Sequence, residues 1–313
     1  MTRTQAVEEY VVCDRTGGPY AITTGPDGAL WFTLVHSGQI GRLVPGQEPT
    51  LRQLDPDSGP TVICAGPDGA LWFTEYRAHR IGRITTAGEV SGFALPTAQC
   101  GPFGIAAGPD GALWFTETAA DRVGRITTDG SVTEYPLPRT GAFPSAIAAG
   151  EDAMWFTMNQ ANTLGRIGVD GHITVHELPT VDAAPVGVTV GRDNSVWFTE
   201  IAAGRIGRRT PDGRITEHPL PDRSARPHAV TTDADGTAWF TEWGANRVGS
   251  ITADGTVTVH DLPTPASEPH GITVGPDGAL WTALETGALA RLDPVAAAAT
   301  TGSVHRTEQG NPS

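Results

Sequence analysis

The chain has 313 residues, 39% of them hydrophobic and 18% charged, the balance of a globular protein long enough to bury a large core. Its formal net charge of −14 and the absence of any lysine among its 21 cationic side chains exclude a phosphate-gripping surface for nucleic acid or anionic membrane, a P-loop lysine and a Schiff-base lysine. No apolar run reaches the roughly 20 residues of a membrane helix, Met1 to Tyr10 lacks the pattern of a signal peptide, and Cys13, Cys64 and Cys100 form no C-x-x-C pair or even set, so a reduced cytoplasmic protein is expected.

In chain order, Ala6 to Val12 (AVEEYVV) reads as a lone strand ahead of a repeat. The repeat begins with GPDGALWFT at Gly25, returns as GPDGALWFTE at Gly66 and Gly108, and continues in degraded form. Its tryptophans are Trp31, Trp72, Trp114, Trp155, Trp197, Trp239 and Trp281, spaced by 41 or 42 residues. An Ile-Gly-Arg motif keeps the same step from Ile40 to Leu289. Each unit holds an inner strand such as Gly271 to Val274, a Pro-Asp-Gly turn, the tryptophan strand, the Ile-Gly-Arg strand and an outer strand such as Val132 to Leu137. Seven units of this period with four strands each predict an all-β, seven-bladed β-propeller. The seventh unit stops after Arg291-Leu292 without an outer strand, so the N-terminal strand is expected to complete it and close the ring. Residues 1–293 are thus read as one propeller domain and 294–313, with an alanine run and then polar residues, as a disordered tail.

Equivalent positions of a propeller form rings about its axis, so functional residues stand out where one or two blades leave the consensus. Each inner strand starts at a proline: Pro19, Pro60, Pro102, Pro144, Pro185, Pro227 and Pro269. The following residues are Tyr20, Thr61, Phe103, Ser145, Val186, His228 and His270, which places two histidines on neighbouring blades. Glu268 precedes Pro269, and in an extended chain residues i and i+2 share a side. Three positions after tryptophan come Leu34, Glu75, Glu117, Met158, Glu200, Glu242 and Leu284, but blade seven carries its acid one place later, at Glu285. Glu268, His270 and Glu285, with His228 beside them, suit a hard cation such as Mg²⁺ better than zinc, for which no Cys/His cluster exists. The Pro-Asp-Gly aspartates are read as turn residues, Glu75, Glu117, Glu200 and Glu242 as structural acids bonding backbone amides or arginines between blades, and His176, His218 and His260 as exposed outer-strand residues. His36, His79, His172 and His305 fall outside any constellation.

The segments Gly18-Pro19-Tyr20, Ala225-Arg226-Pro227-His228-Ala229, Trp239-Phe240-Thr241-Glu242-Trp243-Gly244 and Glu268-Pro269-His270-Gly271 resemble the streptogramin B (virginiamycin B) lyase family, over nearly the whole chain from about Val7 to Leu292. The resemblance implies a monomeric propeller that linearises cyclic depsipeptide antibiotics at their ester bond and uses Mg²⁺. It also implies roles: His270 as general base, Glu268 and Glu285 as Mg²⁺ ligands, His228 as a substrate contact and Tyr20 as a contact lining the cavity. Elimination fits the residues, since it needs a base and a holder for enolate charge but no nucleophile, and no G-x-S-x-G elbow occurs. A metal-dependent lactone or ester hydrolase and a non-catalytic binding propeller remain open alternatives.

Overall fold

One tryptophan, one turn aspartate and one arginine tie each regular repeat into a sheet. In the third repeat Trp114 Nε1 donates to Asp110 Oδ1 at 3.0 Å, Arg125 Nε donates to Asp110 Oδ2 at 2.7 Å, and the guanidinium lies 5.9 Å over the indole ring. The same aspartate links recur at Asp27, Asp68 and Asp277. These aspartates therefore do more than shape a turn: each pins two strands of its own blade through charge-assisted bonds. The glycine of Ile-Gly-Arg is required by packing, because a Cβ at Gly124 would collide with the Phe115 ring.

The computed structural model describes residues 7–294. They form seven four-stranded antiparallel sheets. Blade one runs outward through Pro19–Thr24, Leu30–Leu34, Gln39–Leu43 and Thr50–Gln53, and the inner strands of successive blades stand side by side about the axis. The tryptophan strands are buried along their whole length, as strands covered on both faces must be. Trp72, Trp114, Trp197 and Trp281 are buried between the blades. His176 and His260 sit against Trp155 and Trp239, where Phe93 and Tyr135 sit against Trp72 and Trp114. All three outer-strand histidines are partly buried rather than exposed, and at His176 and His260 the ring packs against the tryptophan of its blade.

Ring closure follows the expected route. Pro269–Val274, Leu280–Leu284 and Ala288–Leu292 supply three strands of blade seven, and Val7–Val11 pairs antiparallel with the last of them, from Val7↔Leu292 to Val11↔Ala288. Ala6 and the tail from 295 to 313 lie outside the described residues. The closing strand also brings a clamp used elsewhere. Glu134 accepts from the Thr97 amide and hydroxyl at 3.0 and 2.6 Å, Glu217 does the same for Thr180 at 3.1 and 2.6 Å, and Glu9 does it for Thr264.

The recurring acids divide into two kinds. Glu75 takes a bidentate pair from Arg80, both bonds at 2.8 Å, and Glu242 takes Arg247 Nε at 2.7 Å; these arginines belong to the same blade, not to the neighbour that the sequence suggested. Glu117 and Glu200 are completely buried and neither oxygen of either meets a donor among the described residues. Each faces a second carboxylate, Glu134 or Glu217, so the contact becomes a hydrogen bond only when one carboxyl keeps its proton. Burial, reinforced by that second acid, pushes both up to about 8, against the opposing pull of Arg122 at the first and of Arg205 and Arg223 at the second.

A pH dependence of stability follows. The folded state keeps protons on Glu117 and Glu200 that the unfolded chain releases near 4.5, so their contribution is complete below about 4.5 and is lost as pH rises through about 8. The denaturant midpoint should fall across that window, by at most about 1.4 kcal/mol per pH unit for each carboxyl. The double variant Glu117→Gln/Glu200→Gln, which imitates the protonated form, should flatten the profile. A wild-type midpoint that stays level from pH 5 to 8 would contradict this assignment.

Candidate active site

Threonines in the tryptophan strands hold the inner strands in register from blade to blade. Thr199 Oγ1 donates to the His228 carbonyl and Thr241 Oγ1 to the His270 carbonyl, both at 2.8 Å, and Thr33, Thr74, Thr116 and Thr157 do the same for their neighbours. Blade seven carries Ala283 at this position, and the contact to blade one is made instead by Thr24 Oγ1 on the Val274 carbonyl at 2.9 Å. Every inner strand is interrupted by a register shift just after its proline, in blade seven between Pro269 and Ile272. Such irregularities re-aim side chains, and here they fall on the ring that carries Tyr20, His228 and His270.

The residue before each proline is in the left-handed region in all seven blades: Gly18, Gly59, Gly101, Phe143, Ala184, Arg226 and Glu268, with φ between 51° and 66°. This corrects one step of the sequence argument. Glu268 (φ 51°) is not extended, so its carboxylate reaches the site by a backbone turn and not by i, i+2 alternation. Holding a non-glycine residue there costs about 1–2 kcal/mol, a cost that blades one to three avoid with glycine.

The structure brings Glu268, His270 and Glu285 together, with one potential ligand atom from each lying within 4.8 Å of the others. The register puts Leu284, not Glu285, opposite Pro269, so Glu285 stands one residue beyond the strand, where its amide meets the Glu268 carbonyl at 3.3 Å. Glu285 Oε2 lies 2.7 Å from His270 Nε2. A carboxylate only accepts, so Nε2 carries the hydrogen in this contact, and His270 Nδ1 is buried with no partner. The Glu285 carboxyl is held well below the usual carboxylate range, first by the His270 bond and further by His36 and Glu268.

His228 faces His270 edge-on with ring centroids 4.9 Å apart, and Tyr20 stacks obliquely on His270 at 4.5 Å. The Tyr20 hydroxyl is 3.5 Å from His228 Nε2, at the outer limit of a hydrogen bond. Desolvation, assisted by the neighbouring His270, depresses the His228 imidazole to about 3, so it is neutral at physiological pH; burial raises the Tyr20 phenol, which keeps its proton. Trp243 lies 6.4 Å from His270 and carries the Arg226 guanidinium 5.2 Å over its ring. Beneath this level Tyr20 and His228 open onto an axial cavity of about 170 Å³ lined otherwise by apolar residues of all seven inner strands, such as Ile22, Phe103 and Val188.

All five residues singled out from the sequence, Tyr20, His228, Glu268, His270 and Glu285, meet at one axial mouth. One neighbour escaped that reading. His36 of blade one places Nε2 2.6 Å from Glu285 Oε1 across the ring closure, although the sequence offered nothing around it. It sits two positions after Leu34, on a ring whose other members are Arg77, Ala119, Gln160, Ala202, Gly244 and Thr286, and comparing that ring as well would have isolated it.

The donor set suits a hard divalent cation: two carboxylates with oxygen lone pairs to spare converge beside an imidazole, without the neutral His or Cys cluster that zinc favours. Among the described residues no helix is long and apolar enough to cross a membrane.

An all-β ring with paired carboxylates and two imidazoles at one axial mouth defines a propeller whose binding or catalytic site is built from departures from its own repeat. The chain belongs to the virginiamycin B lyase family, whose family model matches residues 5–292. It is 40% identical to the virginiamycin B lyase of Staphylococcus aureus, covering 91% of this chain and 98% of that one with a TM-score of 0.88. A catalytically inactive histidine-to-alanine variant of that enzyme, solved with quinupristin, aligns at 39% identity with the same coverage and TM-score. The virginiamycin B lyase of Saccharopolyspora erythraea is 64% identical over 97 residues, a stretch that spans 31% of this chain and only 32% of that relative.

Proposed function

We propose that the protein linearises type B streptogramin antibiotics by β-elimination at their ester bond, with Mg²⁺ as its cofactor, and thereby confers resistance. The observation that carries this reading is the Glu268, His270 and Glu285 cluster at the axial mouth of a chain in this family. The inactive S. aureus variant supports it, since a single histidine is essential in that relative. His270 is the general base. As its ring takes the α-proton of the ester-bearing residue it becomes imidazolium, and Glu285, 2.7 Å away, stabilises that charge as it develops. His228, neutral, and Tyr20, protonated, offer hydrogen bonds to substrate carbonyls without placing a charge against them. Glu268 and Glu285 would hold Mg²⁺, which supplies Lewis-acid stabilisation of enolate and carboxylate oxygen charge. The electron pair left on the α carbon forms the new double bond, and the carboxylate leaves from the β carbon.

Product mass tests the reaction type. Elimination gives a linear product isomeric with the antibiotic, while hydrolysis adds one water. The expected result is an unchanged mass with a new alkene, lost in excess EDTA while the circular dichroism spectrum is kept. A product heavier by one water would make the protein a hydrolase, binding without turnover would make it a binding propeller, and full activity in EDTA would remove the metal.

A further inference from the structure

We infer that His36 is a positioning residue of this site: from blade one it holds the Glu285 carboxylate in the orientation that serves both His270 and the cation. The inference rests on the function proposed above.

Glu285 is gripped at both oxygens, Oε1 by His36 Nε2 at 2.6 Å and Oε2 by His270 Nε2 at 2.7 Å. A carboxylate on a long side chain has several rotamers, and two donors at its two oxygens leave it one. The two grips come from opposite sides of the ring closure. His36 is on blade one and His270 on blade seven, so the site includes a bond between the first and last blades of the chain. The backbone of blade one is cut to admit it. Gly18 takes φ 66°, and a Cβ there would lie inside the His36 ring, so the imidazole crosses the space that a side chain at position 18 would fill. Ala184 occupies the equivalent position of blade five with φ 51°, so alanine is tolerated in this backbone conformation. At Gly18 the space needed by His36 is thus a second requirement for glycine, added to the turn that Gly18 shares with Gly59 and Gly101. His36 is also half exposed, with its side chain 45% accessible, whereas Glu285 is 25% accessible. A histidine kept only for packing would bury its ring and leave the carboxylate alone.

The test uses the full-length chain, wild type and three variants: His36→Ala, His36→Gln and Gly18→Ala. Four quantities are read: kcat and KM for a type B streptogramin, Mn²⁺ affinity from the free-ion electron paramagnetic resonance signal without substrate, and the melting temperature. Groups that orient a ligating carboxylate are typically worth 10- to 100-fold in metal affinity or activity. His36→Ala should lower kcat by about that factor with KM within about twofold, and should weaken Mn²⁺ binding by about tenfold or more. His36→Gln, whose amide can donate to the same oxygen, should recover most of both losses. Gly18→Ala should reproduce the His36→Ala kinetics with His36 still present, because the new methyl group displaces the ring. Unchanged kcat and Mn²⁺ affinity in folded His36→Ala would overturn the inference, and so would tighter Mn²⁺ binding, which would mean that His36 competes with the cation. A fall in melting temperature alone would assign His36 to stability and also overturn it. If wild-type protein leaves streptogramins intact, the proposed function fails while the Mn²⁺ comparison still decides the role of His36.

Discussion

Replacing His270 with alanine is expected to lower kcat by about 10²- to 10⁴-fold, the usual worth of a positioned general base, with a much smaller effect on KM. The asymmetry follows from where the interaction is made. In the proposed mechanism the ground-state imidazole meets only neighbouring side chains such as Tyr20, His228, Trp243 and Glu285, whereas in the transition state it would take up a proton and its new charge would meet Glu285, 2.7 Å away. The fold should survive, because the inner strand that carries His270 is held by its carbonyl bond from Thr241 and not by the ring. Loss of the ring also leaves Glu285 Oε2 without its donor, so the carboxylate keeps only the grip of His36 and cation binding should weaken as well. Deuterium at the substrate α carbon should slow wild type if proton removal limits the rate, and should have no such effect on whatever activity the variant retains by another route. Steady-state kinetics beside a melting curve decide the matter: a folded variant with kcat within about threefold of wild type would move the base to another residue.

The fold could be read from the sequence because a repeat states its own architecture many times. A tryptophan every 41 or 42 residues, a turn aspartate four residues ahead of it and an Ile-Gly-Arg strand behind it are three requirements of one packed blade, now seen as the Asp110, Trp114 and Arg125 contact and its copies. The cluster at the candidate site was readable for the opposite reason, since His228, His270, Glu268 and Glu285 break patterns that the other blades keep. What escaped was geometry that no single repeat encodes. The contact of His36 with Glu285 joins residues 249 apart, and it becomes visible only when the ring is closed and the residue after the tryptophan strand is compared across blades. The left-handed turn at Glu268 was also hidden behind an extended-chain argument, although three glycines at the same ring position, Gly18, Gly59 and Gly101, were its signature. The pairing of Glu117 with Glu134 and of Glu200 with Glu217 depends on which outer-strand residue faces each acid, a relation between strands that the ring comparisons along the tryptophan strand did not include.

Removing residues 1–14 should lower the melting temperature by about 10–20 °C, the largest stability effect expected for this chain. The deletion strips the outer strand from blade seven, ending the five-residue pairing of Val7–Val11 with Ala288–Leu292 and leaving that edge unsatisfied. It also takes away the buried side chains of Val7 and Val12 and the ring of Tyr10, which lies 5.1 Å from the Trp281 ring. Burial of each apolar side chain is worth about 1.5–3 kcal/mol, so a loss of about 5–8 kcal/mol is expected once the clamp of Glu9 on Thr264 is included. For a chain of this size each kilocalorie corresponds to roughly 2 °C or somewhat more. The Glu9 clamp allows a finer test, because Glu9→Gln keeps the strand but removes the charge and one of the two oxygens that accept from the Thr264 amide and hydroxyl; it should cost a few degrees and no more. Closure also bears on the site. Val12 and Cys13 donate their amides to the Gly287 carbonyl at 2.9 and 3.2 Å, two residues beyond Glu285, so loosening the N-terminal segment should disturb the Glu285 carboxylate before the other blades melt. Turnover should accordingly be lost at a lower temperature than the far-ultraviolet signal in the deletion protein. Deleting 295–313 should change neither quantity, and equal melting curves for wild type and the 1–14 deletion would show that the ring is held shut by something other than its first strand.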